Sequence, residues 1–169
     1  MKLSSLVQGR ALAVRIPRHV KAALSNDLAN LLPTGARKAD YRIEKALASI
    51  TTSLDNQLCF DEAHLSRTGH RACTEDERAV QTLLEVQTHV TGVADVVDRL
   101  VTVDGELAEI ALDEAIAAGG KARELVRAHE EITHAHTNLG QNNIVQAIEH
   151  YSKAWKHVQR AMRSAPESE

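Results

Sequence analysis

Residues 143–162, NIVQAIEHYSKAWKHVQRAM, decide the fold. Ile144, Ile148, Tyr151, Trp155, Val158 and Met162 recur at steps of four and three, the apolar seam of a helix lying along other helices. The stretch carries the single Trp and one of the two Tyr of the chain. The bulkiest side chains therefore share one stripe, and these six residues are expected to pack the core.

The rest of the composition agrees with that helix. Of 169 residues, 43% are hydrophobic but only 2% aromatic. A core built from Ala, Leu, Val and Ile suits closely packed helices, whereas strands favour aromatic and β-branched residues. Three Pro and eight Gly leave long windows free of helix breakers. The expected fold is all-α: an up-and-down bundle of four to five helices with one long central member. One domain is expected over 1–169, weakly ordered over 1–17 and frayed over 164–169.

The helices can be placed by their apolar spacing. Residues 3–16 allow a short helix weakened by Gly9 and Pro17. Val20, Ala23, Leu24, Leu28, Leu31 and Leu32 line a helix that Pro33-Thr34-Gly35 stops. Ile43, Leu47, Ile50 and Leu54 line a second, and the short connection makes the two a hairpin. Residues 55–73 break the rhythm and form an irregular loop with one Cys near each end. Thr74 and Glu77 then fit a capping box that opens a long helix, running through Gly92 and Gly105 to Gly119-Gly120. A helix from Lys121 to Leu139 carries Leu125, Ile132 and Leu139 seven apart. Gly140 is placed as its C-cap, and Asn142 or Asn143 as the N-cap of the last helix.

Net charge is −3 and unevenly spread: residues 1–50 hold nine Lys/Arg against three Asp/Glu, and residues 51–149 hold seven against eighteen. Charge complementarity within a bundle accounts for this. A nucleic-acid partner is not expected, because no basic cluster is interleaved with aromatics and no zinc-finger spacing occurs. Membrane insertion is not expected either, as no run approaches the roughly 20 apolar residues of a span. Arg10 and Arg15 interrupt what would be the apolar core of a signal peptide.

The candidates for chemistry are few. Cys59 and Cys73 are read as a disulfide stapling the irregular loop, with two free thiols as the alternative. A zinc site of Cys59, Cys73, His64 and His70 has the right atoms without a recognised spacing. Nine His are present, three of them in HEEITHAH as His129, His134 and His136. With Glu130 and Glu131 beside them, they are the candidates for a metal-binding helical protein. Glu131 and His134 form a single ExxH, where a di-iron carboxylate centre needs two, and HEEIT is not HExxH. Ordinary hydrogen bonding at a helix edge is the plainer reading of these histidines. Nucleotide loops, nucleophile elbows and Rossmann glycines are missing. Ala147, Tyr151 and Ala154 match the second helix of a tetratricopeptide repeat, but no second copy follows at 34 residues. No catalytic residue, resident metal or cofactor is expected.

Three stretches together carry a resemblance: LLPTGARKADYRIEKALASITTSLD (31–55), QLCFDEAHLSRTGHRACTEDERAV (57–80) and NIVQAIEHYSKAWKHVQRA (143–161). They resemble a helical module of uncharacterised function that recurs, often C-terminally, in large secreted or cell-surface proteins of bacteria and archaea. The marks are the Pro-Thr-Gly turn before RIEKAL, Asp61 with the HL pair at 64–65, and the AIEHYSKAW ending. The resemblance implies a non-enzymatic structural or interaction module in an extracellular or cell-surface setting. Its partners would be neighbouring protein domains or subunits, a second copy of the chain among them. Members of that family tend to carry aromatics near positions 59 and 73. A covalent link there would suit an oxidising compartment.

Overall fold

The computed structural model describes residues 17–55, 58 and 68–163. Among them are six helices and no strand: α1 (Pro17–Ala29), α2 (Arg37–Ser53), α3 (His70–Leu84), α4 (Val93–Ala117), α5 (Ala122–Gly140) and α6 (Ile144–Arg163). The proposed helix over 3–16, Cys59, Asp61, His64 and the 164–169 tail lie outside the described residues.

Apolar spacing marks most of the buried faces, but not all of the one on α5, where Ile132 is buried with Ala128 and Ala135 while Leu125 is partly buried and Leu139 is exposed. Leu24 and Leu28 of α1 are fully buried. On α2 the buried face is Ala39, Ile43, Ala46 and Ile50, with Leu47 and Leu54 partly buried beside it. The turn before α2 is tied down locally. Thr34 donates both its N–H and its hydroxyl to Asp40 Oδ1, at 2.7 and 2.6 Å, and these bonds hold the Asp40 carboxyl below the usual range.

The long helix expected from Thr74 to Ala118 is two helices. Gly92 takes φ +94°, a left-handed conformation that non-glycine residues rarely adopt, and stands as the N-cap residue of α4. The apolar spacing runs on across the break because Val86 and Val93 are both buried, which is why periodicity alone joins α3 to α4. The Thr74–Glu77 capping box also fails. Helix α3 starts at His70, and the Thr74 hydroxyl donates back to His70 O at 3.1 Å from inside the helix. Burial of Ala72 and Cys73 on the same face as Ala79, Val80 and Leu83 accounts for the extra turn.

Helix α4 is the longest, at 25 residues, and touches α1, α3, α5 and α6. It ends in a Schellman turn. Gly119 takes φ +72°, its N–H reaches Ile116 O at 3.1 Å, and the Gly120 N–H reaches Ala115 O at 2.9 Å. The α5 terminus repeats this device later than expected. Gly140 stays helical and Asn142 takes the left-handed conformation at φ 61°. The Asn142 N–H bonds Leu139 O at 3.0 Å, and the Asn143 N–H bonds Asn138 O at 2.8 Å.

Helix α6 is the strongly two-faced element, packed on α3, α4 and α5. Ile148, Tyr151, Trp155 and Val158 are buried and Ile144 is partly buried. Met162 departs from the expected seam: it is 41% exposed, and Ala161 is buried in its place. A 3.6-residue helix drifts against a 3.5-residue ruler, so by the last turn the inward position is three residues after Val158, not four. Among the described residues no helix is long and apolar enough to cross a membrane.

Candidate functional site

Two groups of polar side chains stand out. The first is sealed in the core. Lys21 of α1 is hydrogen-bonded to Asp76 of α3, and donates to Asp104 Oδ1 of α4 at 2.8 Å. All three are buried. Burial alone would favour a neutral Lys21, but Asp104 and Asp76 outweigh it and hold the ammonium protonated well above the usual lysine range. Burial, followed by the nearby Asp76 charge, pushes the Asp104 carboxyl well up. Asp76 Oδ1 and Asp104 Oδ2 are buried without a hydrogen-bond partner. The arrangement ties three helices together inside the core, where a substrate cannot reach.

Cys73 lies in the same region. It is a free, buried thiol, pushed up by burial first and then by the Asp104 charge. The expected Cys59–Cys73 disulfide is thus not found: Cys73 does not edge a loop but sits in the first turn of α3 facing the core, and Cys59 lies outside the described residues. A raised thiol pKa makes Cys73 a poor nucleophile and a poor metal ligand.

The second group lies at the surface between α5 and α6. Helix α5 buries only Ala128, Ile132 and Ala135; carboxylates on its flank reach across to α6. Glu131 Oε2 is 2.6 Å from His150 Nδ1, and Glu124 Oε2 is 2.7 Å from His157 Nδ1. The His157 hydrogen bond holds the Glu124 carboxyl below its usual range. Elsewhere on α5, His136 Nε2 lies 3.3 Å from Glu109 Oε1 of α4, and its ring stands edge-on to Tyr151 with centroids 6.1 Å apart. His134 stands edge-on to His150, with centroids 5.3 Å apart.

The five metal candidates therefore part company. Glu131 and His134 face α6 and meet His150, His136 turns to α4, and His129 and Glu130 are exposed. Reading the HEEITHAH tract as a unit within one helix misses His150 and His157. The signal is nevertheless there. Glu124 and Glu131 are seven apart on α5, His150 and His157 are seven apart on α6, and the cross-helix pairs Glu131–His150 and Glu124–His157 centre on the same point of the hairpin. No family model, curated protein or solved structure matches the chain.

Proposed function

We propose that the chain is a non-enzymatic helical module serving structure or interaction, carried by an exported or cell-surface protein. The observation that supports this best is the sealed Lys21–Asp76–Asp104 group. Lys21, Asp76 and Asp104 join α1, α3 and α4 inside the core, whereas acid–base catalysis needs such groups within reach of a substrate. The reading takes the helices as an up-and-down bundle around α4. The extracellular setting rests on the sequence resemblance, since the free Cys73 thiol lends it nothing.

An interaction role draws on the exposed apolar side chains. Ile116 at the C-terminal end of α4, Val126 near the start of α5 and Met162 at the end of α6 are 55%, 57% and 41% exposed. They share one end of the bundle, where Lys121 N–H bonds Ala161 O at 3.2 Å. Contact with a neighbouring domain or a second copy would cover them. Sedimentation velocity over a range of concentrations tests this, comparing the parent chain with an Ile116→Ser, Val126→Ser, Met162→Ser variant. Self-association that weakens in a variant of unchanged melting temperature supports the reading. Equal sedimentation of the two at every concentration removes self-association from it.

A further inference from the structure

We propose that Glu131, His134 and His150 form a divalent transition-metal site, selective for Zn²⁺-type ions, that clasps α5 to α6. A nitrogen from each imidazole and a carboxylate oxygen all lie within 4.8 Å of one another. A tetrahedral Zn²⁺ with bonds of about 2.0–2.1 Å needs its ligands roughly 3.4 Å apart, so only a modest adjustment is required. The means of adjustment are present: His134 is exposed and can swing inward about its side-chain torsions, while Glu131 Oε2 and His150 Nδ1, hydrogen-bonded at 2.6 Å, need only part by under about 1 Å and yield the proton between them to the ion.

The donor set also fits the ion. Two imidazoles and one carboxylate suit Zn²⁺ and its neighbours, whereas Mg²⁺ and Ca²⁺ prefer all-oxygen shells. Glu131 and His134 are three apart on one helix, so both project from the same face. His150 comes from the facing helix at the level of Glu131. Three protein ligands leave the fourth position to water. Half-burial of Glu131 and His150, whose side chains are 23% and 21% exposed, removes part of the competing hydration and gives this group an advantage over histidines on open surface. His129 is such an open-surface histidine.

The test uses the whole chain, free of any histidine tag, titrated with Zn²⁺ alone. Calorimetry should show one Zn²⁺ per chain, and His134→Ala and His150→Ala should each weaken it at least tenfold. His129→Ala and His136→Ala should leave the affinity within twofold of the parent. Zn²⁺ should also raise the melting temperature of the parent and of His129→Ala, but not that of His134→Ala. His134 is exposed, so its loss leaves the fold intact, and circular dichroism checks this. Absence of stoichiometric binding, or binding that His134→Ala does not weaken, or equal weakening by His129→Ala, would each overturn the proposal.

Discussion

Lys21 Nζ donates to Asp104 Oδ1 at 2.8 Å, joining residues 83 positions apart through the centre of the protein. Lys21 is also bonded to Asp76, so one ammonium serves two carboxylates. Removing it leaves both acids buried without a counter-charge, which costs about 3–5 kcal/mol in comparable sites. Lys21→Met should therefore lower the urea midpoint sharply at neutral pH. Replacing the whole group (Lys21→Met with Asp76→Leu and Asp104→Leu) should recover that loss and give stability equal to the parent or about 1–4 kcal/mol above it. An unchanged midpoint for Lys21→Met would show that the ion group contributes nothing.

Asp104 and Asp76 are not equivalent in this group. Burial and the Asp76 charge push Asp104 towards its protonated form, and a proton there would leave the three side chains with no net charge. It would also supply a donor beside Asp76 Oδ1, one of the two unpartnered carboxylate oxygens. An amide mimics a protonated carboxyl in shape and donor capacity. Asp104→Asn should accordingly change stability by less than about 1 kcal/mol, whereas Asp76→Asn should cost about 2 kcal/mol or more. Chemical denaturation of the two variants side by side decides it, and equal losses would contradict the asymmetry.

Alkaline pH should unfold the protein earlier than its unremarkable composition suggests. Lys21, Cys73 and Tyr151 all hold their protons more firmly when folded. For each, the stability gained is fully present below the unfolded pKa and is lost as pH rises through the folded one. Tyr151, nearly fully buried, is pushed up to about 12 by burial and then by the charges of Glu109 and Asp104. Its contribution should fade between pH of about 10, the unfolded value, and about 12, amounting to about 3 kcal/mol. Melting curves from pH 7 to 12 should fall most steeply in that window, and Tyr151→Phe should flatten the fall. A parent curve level through pH 11 would refute it.

Most of the helical plan was legible because apolar residues at three- and four-residue steps mark each buried face, as Ile43 and Ile50 do on α2 or Ile148, Tyr151 and Trp155 on α6. Three things were not. The break at Gly92 was hidden because Val86 and Val93 carry the apolar rhythm across it, and only the backbone geometry separates the helices. The buried ion group was hidden by the habit of assigning charges to solvent. Yet its members sit on apolar stripes: Lys21 three residues before Leu24, Asp76 three after Cys73, and Asp104 three before Leu107. A charge on an inward stripe is rare unless paired, so three of them in separate helices could have been matched to one another. The His–Glu pairs between α5 and α6 needed the hairpin register, which is set by the turn at Asn142.

Gly105 marks a close approach of α4 to α6. A Cβ built there would lie 2.9 Å from the Tyr151 hydroxyl oxygen and 3.0 Å from Cζ. On helix propensity alone, Gly105→Ala should stabilise α4 by about 1 kcal/mol. The contact reverses the sign, because Tyr151 is buried in the core and cannot swing clear, and overpacking of this kind costs about 1–3 kcal/mol. Gly105→Ala should thus be destabilising in the parent. In a Tyr151→Phe background the nearest atom is gone, although Cζ remains close, and the cost should shrink by about 1 kcal/mol. A double-mutant cycle measured by urea unfolding reads that coupling directly. Additive effects of the two substitutions would mean that α4 and α6 part freely enough to accept the methyl group, and that Gly105 is not what sets their separation.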